Sequence, residues 1–102
     1  MEIIALAQQI EAEIRLVLAA HVGEQDAEPL WALVRERVDE ILFAYWQDGR
    51  LAGDSPDEAY FVRCDRSTMT QSDIDVGRLV VLAGFAPLRP AEFEILRIEQ
   101  VL

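Results

Sequence analysis

Asp73 and Asp75 stand two residues apart in the polar stretch between Arg66 and Gly77. They are the carboxylates of this 102-residue chain whose spacing suggests a metal site or an acid/base pair. The remaining parts of either chemistry are missing. A hard-cation site needs several oxygen ligands around a turn, and no histidine, further clustered carboxylate or glycine-spaced calcium loop accompanies these two. His21 is the one histidine, so it has no second imidazole to pair with, and it reads as a helix-terminal residue favoured by the dipole there. Cys64 is the one cysteine; it can form no intrachain disulfide and, lying in a strand-like apolar run, reads as a buried thiol. No nucleophile stands beside a base. Trp31 and Trp46 could stack bases or sugars, but at helical spacing in an acidic chain they read as core or interface packing. The expectation is a chain without catalytic, cofactor or metal residues.

The charge balance narrows the partners. Nineteen acidic residues against nine basic ones give a formal net charge of −10. Affinity for a phosphate backbone comes from Lys and Arg displacing counterions, so nucleic acid and anionic membrane surfaces are disfavoured, while a basic protein surface is not. The opening MEIIALAQQIEAEIRLVLAAHV is apolar but broken by Glu2, Glu11, Glu13 and Arg15. It therefore reads as neither signal peptide nor membrane span, which implies residence in the cytosol. With 52% apolar residues, a chain of this length has the means for one modest core.

The elements follow from periodicity. Ile3, Leu6, Ala7, Ile10, Ile14, Val17 and Leu18 recur at spacings of three and four, which predicts an amphipathic helix over about 2–20, closed near His21 and Gly23. A second helix is expected over 27–47, with Asp26 as N-cap, Pro29 in the first turn, and Leu30, Val34, Val38, Ile41, Leu42 and Tyr45 facing the core. Asp48-Gly49 ends it, and Ser55-Pro56-Asp57-Glu58 opens one helical turn inside the following loop. Strands are expected over 59–64, 78–86 and 92–100. Thr70 to Asp73 has the spacing of a capping box, and Gly77 frees the backbone to enter the second strand. The apolar run from Leu79 to Ala83 predicts cover on both faces, with Gly84 marking a bulge or a close backbone approach. Pro87 and Pro90 bracket a tight turn. In the last run Phe93 and Ile95 point one way and Leu96 and Ile98 the other, so either a bulge lies near Ile95 or different surfaces cover the two halves; the second is preferred. The fold class is α+β: two N-terminal amphipathic helices on a small, mainly antiparallel three-stranded sheet with an extended C-terminal strand.

From residue 28 onward the chain resembles the C-terminal domain of contractile tail sheath proteins, the sheaths of myovirus-like phages, phage-tail-like bacteriocins and contractile injection systems. The matching stretches are Glu28-Pro29-Leu30-Trp31, Gly49 with Leu51 and Gly53, Pro56 to Asp65, Thr70 to Asp75, Gly77-Arg78, Gly84 to Leu88, and Pro90-Ala91-Glu92-Phe93. They span about three quarters of the chain in order and at comparable spacing. The resemblance implies a structural protein with no active site and no cofactor, whose subunits stack in helically arranged rings around an inner tube and later contract. It implies an inner-layer domain, near the tube, whose terminal strands are exchanged with neighbouring subunits.

Other sheath subunits and a tail tube protein are the implied partners, without nucleic acid or membrane insertion, in a virion tail or phage-tail-like particle assembled in the bacterial cytoplasm. The candidates for subunit contacts are Asp73, Asp75, Arg78, Glu92, Phe93, Glu94, Leu96, Ile98, Gln100 and Leu102. Pro29, Trp31, Gly77, Gly84, Pro87 and Pro90 are the structural motif residues. An edge strand suits such a role on physical grounds, because backbone hydrogen bonds make a directional link between chains. The competing reading is a small acidic adaptor that takes a partner's helix on its Trp-rich second helix.

Overall fold

The computed structural model describes residues 2–89 and 92–102, and the side chains of all of these except residues 2 and 3. Pro90 lies outside the described residues. Two helices, two single helical turns and three strands follow one another in the order α1 (Glu2–Ala19), α2 (Glu28–Gln47), α3 (Pro56–Ala59), β1 (Tyr60–Arg63), α4 (Gln71–Asp75), β2 (Arg78–Phe85) and β3 (Glu94–Val101). The α+β class and all three strands are as the sequence predicts, with strand ends displaced by one or two residues.

In α1 the side chains of Leu6, Ile10, Ile14 and Leu18, each one turn from the next, are buried. They hold the helix against α2 and β3. The α2 stripe of Leu30, Val34, Val38 and Leu42 is buried beside it, with α2 packed on β1. Pro29 lies in the first turn as expected. The N-cap does not: the capping position is Ala27, with extended backbone and no side-chain cap, and Asp26 turns inward instead. Its Oδ1 accepts the indole N–H of Trp31 at 2.7 Å. A buried indole donor needs an acceptor, and that requirement outweighs a cap at an exposed helix start.

The sheet is antiparallel throughout, in the order β1-β2-β3. Tyr60 faces Phe85 across the first pair, and the second runs without interruption from Arg78 opposite Val101 to Phe85 opposite Glu94. No bulge occurs near Ile95. The pleat puts Tyr60, Val62, Leu79, Val81, Ala83, Phe85, Leu96 and Ile98 on the face under the helices. Phe61, Arg63, Arg78, Val80, Leu82, Gly84, Ile95, Arg97, Glu99 and Val101 take the other. Val80 is as fully buried as Leu79 and Val81, so β2 is covered on both sides at that end, as its unbroken apolar run predicts.

Two glycines are required by geometry. Gly77, at φ 72°, turns the chain from α4 into β2, a conformation costly for a residue with a Cβ. Gly84 marks a close approach rather than a bulge: the Phe61 ring lies across it, and a Cβ at that position would sit 2.0 Å from Cε2 of Phe61. The ring thereby reaches Phe93, the residue just before β3, with ring centres 5.8 Å apart. Pro87 forms a bridge to Leu51 that ties the corner after β2 to the loop after α2.

Candidate assembly surface

At the edge of the sheet lies β3, bonded to β2 along its length and, among the described residues, with no strand on its outer side. The contact candidates fall into two groups about this strand. Ile98 is fully buried and Leu96 half-buried, so both serve the core of their own domain. Leu102 packs against that core too, and its backbone N–H donates to the Gly77 carbonyl at 2.8 Å. Gln100 is half-buried, whereas Glu92, Phe93 and Glu94 are exposed. The change of face read in the sequence is therefore the ordinary alternation of a strand with helices on one side. The far end of the strand is held in its own sheet up to Val101.

Asp73 and Arg78 form a clamp at the start of β2, with Asp75 beside it in α4. Thr70 and Asp73 make the reciprocal capping box, with the Thr70 hydroxyl accepting from the Asp73 N–H and an Asp73 oxygen accepting from the Thr70 N–H. The second oxygen of Asp73 accepts from Arg78 Nη1 at 2.8 Å, and Arg78 Nε lies 3.5 Å from Glu99 on β3. The Thr70 amide and then the Arg78 guanidinium hold the Asp73 carboxyl below its ordinary value. Asp75 accepts from Gln71. Asp73 thus fastens α4 to the sheet while the Asp75 bond stays within α4, and among the described residues no group of three or more metal-ligating side chains is found.

The remaining polar groups reinforce a structural reading. Burial pushes the Cys64 thiol up to about 12, far from the range of a reactive thiolate. Its carbonyl accepts from Arg35 at 2.7 Å, a tie between α2 and the end of β1 that the sequence does not signal. His21 meets Glu24 in the turn after α1. Trp31 is 3% exposed, and Trp46 is half-buried with its indole donating to the Gly53 carbonyl. An α2 face that offered both tryptophans to a partner helix is therefore not supported.

Asp26 has one oxygen on Trp31 and the other, Oδ2, buried with no partner among the described residues. Burial raises its pKa above the ordinary 3.8; the Trp31 bond opposes this and the nearby Asp73 charge adds to it. A raised carboxyl in the folded state stabilises the protein when protonated, and that contribution is lost as pH rises through the folded value. Asp26→Asn is therefore expected to gain stability relative to the wild type from about pH 4 to pH 7 in denaturant titrations, the difference levelling off above the folded pKa. Asp65, held low by the Ser67 hydroxyl and amide, and Asp73 act in the opposite sense and below 3.8, so the two windows separate. A difference that stayed constant over that range would show Asp26 to be ionised throughout.

Two helices on one face of a three-stranded antiparallel sheet with a long strand at its edge make an α+β domain that is similar to parts of contractile-sheath structures. The likeness is to particular solved structures. The chain matches one from the anti-feeding prophage (AFP) baseplate, 6-fold symmetrised, at TM-score 0.78 and 39% identity over 95% of this chain and 27% of that one. It matches the PVC sheath complex of an extracellular contractile injection system in its contracted state at TM-score 0.77 and 38% identity, over 93% of this chain and 27% of that one. The AFP helical sheath in its contracted state gives TM-score 0.67 and 41% identity, over 85% and 25%. The chain spans about a quarter of the length of each of these neighbours. No protein-family model matches the chain. No curated protein matches it. Among the described residues no helix is long and apolar enough to cross a membrane.

Proposed function

We propose that this chain is a structural domain of a contractile sheath, with no catalytic role, that joins neighbouring subunits in a helical polymer. The observation that carries the reading is 38% identity over 93% of the chain, at TM-score 0.77, to the PVC sheath complex of an extracellular contractile injection system. The physical means is the outer edge of β3, whose unpaired backbone groups can take a strand from another subunit. A tail tube protein is the second partner of this reading, and nucleic acid and membrane are not partners. Its place is a phage-tail-like particle assembled in the bacterial cytoplasm.

Proline scanning of the edge tests the strand link. In an antiparallel edge strand, successive backbone N–H groups point alternately to the inner neighbour and outward, so Glu99→Pro and Gln100→Pro remove one of each. The variant that loses the β2 bond is expected to melt lower. The other is expected to keep its melting temperature but to lose concentration-dependent association in sedimentation velocity. Association unchanged in the variant that stays folded would refute the edge link.

A further inference from the structure

Among the described residues the buried acidic side chains are Asp26, 7% exposed, and Asp73, 9% exposed. They come from different elements, the turn between α1 and α2 and the single turn α4, and lie near enough for the charge of one to act on the other. They are unequally provided for. Asp73 has a donor on each oxygen, the Thr70 amide and the Arg78 guanidinium, which hold its charge. Asp26 has the Trp31 indole on one oxygen, and Oδ2 is buried with no partner among the described residues. Where two carboxylates share a site, the one with fewer donors takes the proton. The other groups about Asp26 do not offset a charge there. The Cys64 thiol at the end of β1 is neutral, Arg35 is occupied by Glu28 and the Cys64 carbonyl, and Arg66 lies over the Trp31 ring, 6.0 Å from its centre.

A charge on Asp26 pushes against the weaker of the two elements it joins. The turn is pinned by Trp31, 3% exposed at the start of a 20-residue helix, and an ionised carboxylate accepts the indole N–H more strongly than a neutral one. By contrast, α4 has five residues, and its one buried side chain is Asp73 itself. An element held by polar contacts with little buried apolar surface opens locally at small cost. The carboxyl end of β3 is tied to the same place: Gly77, just after α4, accepts the Leu102 N–H at 2.8 Å, and Arg78, held by Asp73, reaches Glu99.

We infer that α4 is a proton-controlled latch on the end of β3, closed while Asp26 is neutral and loosened when Asp26 ionises. The closed form binds the proton more tightly than the open one, so rising pH favours opening. Burial raises Asp26, which sets the change above pH 3.8; Asp65 and Asp73, both held low, titrate below it. The latch is a property of this domain alone and does not rest on the sheath reading.

Amide hydrogen exchange of the full chain by NMR between pH 4 and 7, each rate divided by that of an unstructured chain, tests it. The N–H groups of Ile74 and Val76 in and after α4, and of Leu102 on Gly77, report the latch, and those of Glu58 and Ala59, bonded to Ser55, serve as control. Protection at the first three is expected to fall by about tenfold or more, with the midpoint at which the Asp26 carboxyl carbon titrates, and to stay level at the control pair. Asp26→Asn keeps the shape without the charge and is expected to hold the latch amides level throughout. It also separates Asp26 from His21, which meets Glu24 in the preceding turn. Constant protection in the wild type, or an equal fall in Asp26→Asn, would overturn the latch. So would a Trp31 indole N–H that loosens while α4 stays protected, since the turn would then be the part that moves.

Discussion

Replacing Trp31 by alanine is expected to cost about 3–5 kcal/mol, the range for removing a large buried aromatic, out of a total near 5–15 kcal/mol for a domain of this kind. Two losses combine. The indole fills the core at the start of α2, being 3% exposed, and its N–H is the protein partner of the buried Asp26 carboxylate. The two are separable. Trp31→Phe keeps most of the ring volume but removes the donor, and a buried carboxylate left bare costs about 1–3 kcal/mol or more. In the Asp26→Asn background the same Trp31→Phe change should cost less, because the remaining group carries no charge; a double-mutant cycle from denaturant midpoints measures that coupling. Equal costs in both backgrounds would mean that the Asp26 contact contributes packing alone. Were α2 a docking face, Trp31→Ala would instead leave the melt unchanged.

Legibility in the sequence followed the strength of the local signal. Apolar spacing in α1 and α2 predicts both helices within one or two residues, because a 3.6-residue period over five turns has few other solutions. The capping box at Thr70 and Asp73 and the turn at Ser55 to Glu58 are legible for the same reason: their chemistry is contained in four residues. An acid before a Pro-containing helix start matches a cap, whereas the partner Asp26 takes, Trp31, lies five residues on and acts through burial. That spacing is the signal that could have found it. Arg35 on the Cys64 carbonyl joins residues 29 apart and leaves no trace in a local pattern.

The candidate surface shows the same limit. Alternation in residues 93 to 98 marks two faces, but which of them the protein covers depends on where α1 comes to rest, and that is a property of the whole fold. Ile98 therefore moved from the contact candidates to the core, and Ile95 and Val101 emerged as the exposed pair. The bulge-or-approach choice at Gly84 was settled by Phe61, 23 residues earlier, whose ring occupies the space a side chain would need.

Ile98→Ala and Ile95→Ala, three residues apart on one strand, are expected to differ sharply. Ile98 is fully buried opposite Val81, under α1; its loss removes several methyl groups and leaves a cavity between helix and sheet, at a cost of about 2–5 kcal/mol. For a domain of this length that corresponds to a fall in melting temperature on the order of 10–20 °C. Ile95 is 61% exposed on the open face, and its truncation should shift the monomer's stability by about 0.5 kcal/mol or less. The consequence for aggregation follows the consequence for folding. Weakening Ile98 loosens β3 from β2, exposing the central strand's own edge and the helix-facing core, so this variant should aggregate without a defined size. Truncating Ile95 removes apolar area from the open sheet face and leaves the fold intact, so the melt should stay in place and no such aggregation should follow. Chemical denaturation and sedimentation on the two variants read both effects. Equal melting temperatures would mean that α1 does not rest on β3 as described, and with it the assignment of the open face would fall.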